Sequence, residues 1–316
     1  MAAKEPFVVI AHRGASGYLP EHTLEAKALA YGMGADYLEQ DVVLTRDNVP
    51  VVLHDIHLDT ISDVATKFPE RARDNGRYYA IDFDLAEIRQ LTASERFHQK
   101  TGKPVYPGRF PIRTGAFHIP TLAEEIEFIQ GLNKSTGRTV GIYPELKQPA
   151  FHHNEGKDIS TAVLKVLADH GYRSKADACY LQCFDAKENR RIREELGCQL
   201  KMVQLLNKED WLTAADSAAR ERQLQKLAEF ADAIGPNLSV LFKRNDAGQI
   251  VPTDVTELAH RHGLALHPWT LRADDVVQPF ESFEQMHDAV LTAGIDGAFS
   301  DFPDQTLRLM GRAIRE

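Results

Sequence analysis

The sequence predicts an α/β fold, a (β/α)8 TIM barrel with a small inserted subdomain, and two observations point to it. Short apolar segments alternate with helical patterns about eight times, and a helix candidate follows each strand candidate. The length of 316 residues suits one large barrel, so 1–316 is interpreted as a single domain. A doubly wound open sheet is the alternative. It usually has a Gly-rich dinucleotide turn, and the chain contains no G-x-G-x-x-G motif.

The first elements are a buried strand, Phe7–Ala11, and a helix from Leu24 to about Tyr31 that Thr23 is expected to cap. A second strand, Tyr37–Val43, begins a hairpin. The later strand candidates are Thr139–Leu146, Ala178–Phe184, Gln199–Leu206, Asp232–Leu238, Leu264–Thr270 and Gly297–Asp301. Helix candidates among them are Ile159–His170, Ala186–Leu196, Leu224–Phe230, Val255–His262 and Phe283–Leu291.

The segment from Ile56 to about Pro120 interrupts this alternation. It is polar, basic in patches, rich in Gly, Pro and aromatic residues, and too long for an ordinary connection. Capping boxes start one short helix inside the segment, at Asp84 with Glu87, and another just after it, at Thr121 with Glu124. We interpret residues 56–120 as an inserted capping subdomain that governs substrate choice. Its candidate wall residues are Tyr78, Tyr79, Phe83 and Phe110.

Composition excludes several classes of function. The formal net charge is −9 and no long Lys/Arg run occurs, which argues against a nucleic-acid binder and against a polybasic membrane anchor. No apolar run approaches the ~18 residues of a membrane span. The N-terminus enters an apolar strand without a signal-peptide pattern, so we expect a cytosolic protein or an exported one in mature form. Cys179, Cys183 and Cys198 have neither disulfide nor zinc spacing and are expected in the core.

The hairpin Tyr37–Asp55, YLEQDVVLTRDNVPVVLHD, carries the first chemical signal. Side chains alternate across a strand, so Glu39 and Asp41 share one face, where they repel each other unless a cation neutralises them. The second strand of the hairpin returns His54 near these carboxylates. The segment therefore offers two metal ligands and an acid/base group.

Catalytic residues of such barrels lie at the carboxyl ends of the strands. The polar and aromatic residues at those ends, besides the hairpin residues, are His12, Arg13, Glu145, Lys147, Gln182, Phe184, His267, Trp269, Ser300 and Asp301. Glu39, Asp41 and Glu145 converge on one rim, and hard oxygen ligands select Ca²⁺ or Mg²⁺.

A metal with two basic side chains suits a phosphate ester, whose transition state spreads negative charge over its oxygens. Arg13 and Lys147 supply the basic side chains, and His12 and His54 are the candidate base and acid. No G-x-S-x-G nucleophile motif is present. Glycoside hydrolysis has no task for these four residues.

The stretches HRGASGYLPEHT, LEQDV, LHD, YPELK, HPWT and SDFPD follow in this order along nearly the whole chain. In them the chain resembles the glycerophosphodiester phosphodiesterases, above all the longer bacterial periplasmic enzymes, which the inserted KFPERARDNGRYYAIDF also resembles. The chain has His22 where many family members have Asn.

The resemblance implies a barrel of the PLC-like phosphodiesterase type with a capping insertion, and a reaction that leaves glycerol 3-phosphate and the free alcohol. It also implies a periplasmic location, with a cytoplasmic one as the alternative. The ligands of a Ca²⁺ or Mg²⁺ ion are implied to be Glu39, Asp41 and Glu145. His12 and His54 form the histidine pair, and Arg13 and Lys147 contact the phosphate.

The expected partners are small glycerophosphodiesters, such as glycerophosphocholine, glycerophosphoethanolamine and glycerophosphoglycerol, with no nucleic acid and no stable membrane insertion. Phe184 and Trp269 are expected to pack against the glycerol carbons, and Gln182 to bind a glycerol hydroxyl. Two alternatives remain. One is a non-catalytic binding protein on the same barrel. The other is a related barrel phosphodiesterase that cleaves intact phospholipids, which usually needs an apolar surface helix.

Overall fold

Eight parallel strands form a nearly closed barrel in the computed structural model, which describes residues 6–207 and 216–312. The strands of this part of the chain are β1 (Val8–Ala11), β2 (Tyr37–Leu44), β3 (Pro50–Val52), β4 (Gly141–Leu146), β5 (Tyr180–Cys183), β6 (Lys201–Leu206), β7 (Ala233–Pro236), β8 (Phe242–Arg244), β9 (Ile250–Pro252), β10 (Ala265–Leu266) and β11 (Gly297–Ser300). The helices are α1 (Leu24–Met33), α2 (Val64–Lys67), α3 (Leu85–Ile88), α4 (Leu122–Thr136), α5 (Pro149–Asn154), α6 (Ile159–Asp169), α7 (Ala186–Glu194), α8 (Ser217–Leu227), α9 (Val255–Arg261), α10 (Phe283–Thr292) and α11 (Pro303–Leu309).

The barrel strands pair in the order β10-β7-β6-β5-β4-β2-β1-β11. The two end strands meet through backbone hydrogen bonds. The amide of Asp296 donates to the carbonyl of Leu266 at 3.2 Å, and the amide of Phe299 donates to Pro268 at 3.0 Å. Antiparallel β3 extends β2 as the predicted hairpin, and β8 with β9 forms a separate hairpin. The predicted (β/α)8 TIM barrel is confirmed.

Side chains from well-separated strands meet inside the barrel. One buried cluster joins Ile10 of β1, Tyr143 of β4, Val203 of β6, Ala233 of β7 and Phe299 of β11. Apolar residues on the other faces of the strands pack against the surrounding helices in two larger clusters. Because side chains alternate across a strand, the same segments fill the interior and bind the helices.

The predicted helix starts are present. Thr23 Oγ1 accepts a hydrogen bond from the amide of Ala26 at 3.2 Å and caps α1. Capping boxes precede α3, at Asp84 with Glu87, and α4, at Thr121 with Glu124. The three cysteines are free and buried, as expected for core residues. Among the described helices none is long and apolar enough to cross a membrane.

The segment between β3 and α4 folds over the end of the β2–β3 hairpin. It contains α2, α3 and 3₁₀ turns at Pro69–Arg71 and Ala80–Asp82. A hydrophobic cluster joins it to the hairpin through residues that include Val43, Leu53 and Phe83. The four aromatic side chains expected to form a substrate wall belong to this cluster or pack against it: Tyr78, Tyr79, Phe83 and Phe110.

Candidate active site

A cavity of about 240 Å³ lies at the carboxyl ends of the barrel strands. All ten residues that the sequence assigns to the site line it: His12, Arg13, Glu39, Asp41, His54, Glu145, Lys147, Gln182, Phe184 and Trp269. Five further lining residues were not predicted: Leu205, Asn207, Thr270, Arg272 and Phe299. The structure therefore brings the predicted set together in one place.

Strand pairing brings the carboxylates together. The β2–β4 register sets Asp41 opposite Glu145, and β5 sets Gln182 opposite Glu145 on the other side. Glu39 lies two residues before Asp41 on the same face of β2, as the alternation predicts. Below β2, the buried Lys27 ammonium donates to the Glu39 carbonyl and binds Glu125 Oε1 at 2.7 Å. This buried ion pair anchors the strand that carries the acids.

His22 joins the carboxylates, and sequence reasoning gave it no role. His22 Nε2 lies 2.8 Å from Asp41 Oδ2, and one donor atom each from His22, Glu39 and Asp41 lie within 4.8 Å of one another. The third expected metal ligand, Glu145, binds Lys147 Nζ at 2.7 Å through Oε1. Lys147 Nζ also lies 3.4 Å from Asp41 Oδ1. The His in place of the Asn of many family members puts a hydrogen bond from this position in doubt from sequence, and the structure shows the contact to Asp41.

Burial sets the charge state of the acids. Burial raises the pKa of Glu39 well above its usual range, and the charge of Asp41 adds to this effect. The pKa of Glu145 is raised to about 8, also by burial first, and the Asp41 charge contributes. Asp41 itself has a lowered pKa, because the charge of Lys147, together with the hydrogen bond from His22, outweighs the effect of its burial. The three acids therefore share a small volume but differ in how strongly each holds a proton.

The donor set fits a hard divalent cation. Three carboxylates from β2 and β4 face one cavity, and oxygen ligands of this kind select Ca²⁺ or Mg²⁺. Asp41 Oδ1 is buried and accepts no hydrogen bond from the described residues. A cation among these oxygens would offset the effects of burial and of the Asp41 charge, which raise the pKa values of Glu39 and Glu145.

Each histidine of the pair has a carboxylate behind it. His12 Nδ1 lies 2.6 Å from Asp301 Oδ1, and His54 Nδ1 lies 2.7 Å from Asp55 Oδ1. Burial lowers the pKa of His12 to about 4, and the neighbouring Arg13 charge adds to the shift. Burial, with the charges of Arg13 and Lys147, lowers the pKa of His54 to about 3. These shifts favour the neutral imidazole in both rings, and Nδ1 rather than Nε2 makes the aspartate contact.

Arg13 is held tightly at the start of the loop after β1. Its backbone amide donates to Glu39 Oε2 at 2.6 Å, and its guanidinium binds Glu21 at 2.9 Å. Arg13 Nε also lies 3.5 Å from Asp41 Oδ2. A fixed guanidinium beside three carboxylates suits a ligand that combines a phosphate with a cation.

Two aromatic rings form the apolar side of the cavity. Phe184 and Trp269 pack edge to face with ring centroids 5.7 Å apart, and the Trp269 indole donates to the Gly235 carbonyl at 2.9 Å. Gln182 Nε2 donates to the Tyr143 carbonyl at 3.4 Å, while its buried Oε1 accepts no hydrogen bond from the described residues. The wall therefore offers an apolar surface beside a polar acceptor.

Two other strand-end residues are structural. His267 is buried and lies 2.8 Å from the Tyr143 hydroxyl, and burial lowers its pKa to about 4. Ser300 is buried and hydrogen-bonded to Thr306 at 2.8 Å. Their position in the sequence matches that of site residues, and only their side-chain direction distinguishes them.

The comparison with known sequences covers nearly the whole chain. The model of the glycerophosphoryl diester phosphodiesterase family matches residues 12–305. A glycerophosphodiester phosphodiesterase of Haemophilus influenzae is 46% identical over 323 residues, which cover 95% of this chain and 89% of the relative. One from Treponema pallidum is 35% identical over 330 residues, covering 98% of this chain and 93% of the relative.

Solved structures share the fold at lower identity. A phosphodiesterase of Oleispira antarctica, solved in complex with the product sn-glycerol-3-phosphate, has a TM-score of 0.66 and 23% identity, with 96% of each chain covered. A glycerophosphodiester phosphodiesterase of Agrobacterium tumefaciens has a TM-score of 0.63 and 18% identity, covering 96% of this chain and 99% of that one. Sequence and site agree, and the chain belongs to the glycerophosphoryl diester phosphodiesterase family as an enzyme that hydrolyses phosphoric diesters.

Proposed function

We propose that the protein uses a divalent cation and two histidines to hydrolyse glycerophosphodiesters to glycerol 3-phosphate and the free alcohol. Glycerophosphocholine, glycerophosphoethanolamine and glycerophosphoglycerol are the proposed substrates. One observation carries the proposal: two histidines, each backed by an aspartate, line the same cavity as three carboxylates. A binding protein has no use for this arrangement, which is costly in buried charge.

In this proposal Glu39, Asp41 and Glu145 hold the cation, Ca²⁺ with Mg²⁺ as the alternative. When bound, the cation would supply positive charge that stabilises the negative charge of the phosphate. Arg13, beside Glu39 and Asp41, binds a phosphate oxygen. Lys147 is the proposed third positive group, and its ammonium now bridges Asp41 and Glu145.

The two histidines move the protons. One accepts at Nε2 the proton of the attacking hydroxyl, which is the 2-hydroxyl of the glycerol or a water molecule. As the attacking oxygen bonds to phosphorus, the P–O bond to the headgroup breaks, and the other histidine, as imidazolium, donates its proton to the leaving oxygen. If the 2-hydroxyl attacks, the product is a cyclic phosphate, which a water molecule then opens to glycerol 3-phosphate with the two histidines in exchanged roles. The anionic phosphate beside the rings favours that charged form. Asp301 and Asp55 keep Nδ1 protonated and fix the orientation of His12 and His54.

Recognition is proposed at the glycerol end. Phe184 and Trp269 cover the glycerol carbons, and Gln182 Oε1 accepts a hydrogen bond from a glycerol hydroxyl. The headgroup then varies without loss of these contacts, so several glycerophosphodiesters react at comparable rates. The Oleispira antarctica relative, solved with sn-glycerol-3-phosphate, supports a site that retains this half of the diester.

The test is the hydrolysis of glycerophosphocholine with both products identified. The expected products are glycerol 3-phosphate and choline, and an analogue without the 2-hydroxyl should react far more slowly because its loss leaves buried polar groups unpaired. His12→Ala and His54→Ala should each lower kcat by about 10²-fold or more, the usual range for acid/base groups. His98→Ala, at an exposed histidine of the insertion, is the control and should keep the wild-type rate.

Two results would overturn the proposal. Release of glycerol and phosphocholine would mean that the other P–O bond is cleaved. A folded His12→Ala or His54→Ala protein with the wild-type kcat would remove that histidine from the chemistry.

A further inference from the structure

Two arginines of the inserted segment reach the carboxylates that orient the histidine pair. Arg96 binds Asp55, the partner of His54, and Arg109 binds Asp301, the partner of His12. We propose that Arg96 and Arg109 are positioning residues, which make proton transfer at the barrel dependent on the folded insertion. This inference rests on the proposed function, because it assumes that both histidines transfer protons.

Arg96 joins two parts of the site. Its Nη1 lies 2.5 Å from Asp55 Oδ2, while Asp55 Oδ1 lies 2.7 Å from His54 Nδ1. The same guanidinium binds Glu21 through Nε at 3.0 Å and Nη2 at 2.5 Å. Glu21 in turn binds the Arg13 guanidinium at 2.9 Å. Arg96 therefore contacts both Asp55, which binds His54, and Glu21, which binds the proposed phosphate ligand Arg13.

Arg109 makes the equivalent contact at the other histidine. Its Nη2 lies 2.6 Å from Asp301 Oδ2, while Asp301 Oδ1 lies 2.6 Å from His12 Nδ1. The guanidinium also binds both oxygens of Asp274, at 2.8 and 3.0 Å, and lies 3.7 Å from the Tyr106 ring centroid. Its side chain is only 4% exposed. The arginine is thus locked in place by neighbours on three sides.

The two contacts have the same physical effect. Each aspartate gives one oxygen to a histidine and the other to an arginine, so the carboxylate plane is fixed and the imidazole with it. Burial would raise the pKa of Asp55 and Asp301, but the histidines and the arginine charges hold both pKa values well below the usual range. An ionised, immobile carboxylate keeps the histidine in the tautomer that leaves Nε2 free.

Neither arginine is a direct catalytic group. The residues that line the cavity do not include Arg96 or Arg109. The two aspartates also differ in the number of arginines that bind them. Arg272, in the loop after β10, binds Asp301 Oδ2 at 2.9 Å as a second cation. Among the described residues, Arg96 is the arginine bonded to Asp55. Loss of Arg96 should therefore cost more than loss of Arg109.

The test compares Arg96→Ala and Arg109→Ala with His54→Ala and His12→Ala on two substrates. Glycerophosphocholine needs a proton on its leaving alcohol, whereas the glycerophospho-p-nitrophenyl ester does not. The general-acid histidine matters mainly for the first substrate, and the general base matters for both. We expect Arg96→Ala to reproduce the substrate pattern of His54→Ala, and Arg109→Ala that of His12→Ala.

The loss in kcat should reach up to about 10²-fold for a displaced catalytic group. KM should change little in Arg109→Ala, whereas Arg96→Ala should also raise KM, because Arg96 binds Glu21, which holds Arg13. Guanidinium chloride below its unfolding concentration should partly restore kcat in the arginine variants and not in the histidine variants. Arg77→Ala is the matched control, because Arg77 belongs to the same insertion and binds Asp59 through Nε at 2.8 Å and Nη2 at 2.9 Å. Its loss should affect stability and leave the substrate pattern unchanged.

If the alanine variants fail to fold, Arg96→Lys and Arg109→Lys take their place and should show the same patterns at smaller amplitude. Wild-type kcat in the folded arginine variants, or a pattern unlike that of the paired histidine, would overturn the positioning role. If the histidine variants themselves kept the wild-type rate, the proposed function would fail as well. If the histidine variants lost activity and the arginine variants kept it, only the inference would fail.

Discussion

At the scale of single residues, Arg13 and His22 adopt a backbone conformation that side chains rarely tolerate. Their φ angles are 57° and 62°. Each makes a contact that the conformation aims at the acids, since the Arg13 amide binds Glu39 and the His22 ring binds Asp41. Strained backbone persists where surrounding contacts impose it, and it concentrates at functional sites. The contacts with Glu39 and Asp41 therefore help to hold the backbone of the loop after β1 in this conformation.

A second residue-scale feature is Glu95, a buried acid outside the cavity. It is 2% exposed, and its Oε2 has no hydrogen-bond partner among the described residues. Burial raises its pKa from 4.5 to about 8, and the charge of Glu21 adds to the effect. Between these values the folded protein retains a proton that the unfolded chain releases. The free energy of unfolding therefore falls as pH rises, by at most about 1.4 kcal/mol per pH unit.

Glu95→Gln should remove this dependence, because the amide mimics the protonated acid. Urea denaturation at pH 5, 6.5 and 8 should show little difference from the wild type at pH 5 and a growing stability advantage toward pH 8. Glu127→Gln, at a side chain that is 71% exposed, is the control. A Glu95→Gln difference that stays constant across this range would mean that Glu95 is ionised in the folded protein.

The sequence predicted ten of the fifteen residues that line the cavity, and it did not assign Arg96 or Arg109, which lie behind the histidines. Apolar segments predict where strands end, so His12, Glu39 and Glu145 could be assigned to the site from their positions in or after such segments. Arg96 and Arg109 lie in a segment without periodicity. Their aspartate partners are 41 and 192 positions away along the chain, and no local pattern encodes such contacts.

At the scale of elements, a glycine sets how closely β4 approaches its neighbours. A Cβ at Gly141 would lie 2.2 Å from the Tyr37 ring and 2.8 Å from the Ala178 carbonyl oxygen. Gly141→Ala should lower the free energy of unfolding by ~1–3 kcal/mol, the usual cost of overpacking. Gly131→Ala, inside α4 with open space around its Cβ, should raise it by ~1 kcal/mol through helix propensity.

Equilibrium urea unfolding of both glycine variants measures this difference. Both variants make the same chemical change, Gly to Ala. Opposite changes in the free energy of unfolding would therefore come from the surroundings of each glycine. If Gly141→Ala were as stable as the wild type, β4 would have room that the structure does not show.

Most elements were predicted, and the errors have local causes. The strand predicted at Leu264–Thr270 is reduced to β10, Ala265–Leu266, since Pro268 has no amide to donate to a sheet. The helix predicted to start at Leu224 begins at Ser217. The prediction missed its first turns because they are polar and show no apolar period. Asp216 caps that start, accepting from the Ala219 amide at 2.7 Å. The hairpin β8–β9 and the helix α11 were not predicted.

At the scale of the whole molecule, the insertion and the barrel share one electrostatic network. From the sequence, residues 56–120 were expected to act on substrate choice, through a wall of aromatic side chains. Those aromatics belong to or pack against the insertion's hydrophobic cluster, while its arginines contact the aspartates behind the histidines. A role of the insertion in substrate choice stays a prediction. The arginine contacts would let the insertion act on that choice in a second way, because they orient the histidine that protonates the leaving alcohol.

The central claim is that a divalent cation, held by Glu39, Asp41 and Glu145, works with the histidine pair on a glycerophosphodiester. The most direct measurement is the turnover of glycerophosphocholine in excess chelator, followed by addition of Ca²⁺. We predict that chelation abolishes turnover, that Ca²⁺ restores it, and that Glu39→Gln needs far more Ca²⁺ while its circular dichroism stays unchanged. Full turnover in excess chelator would contradict the account.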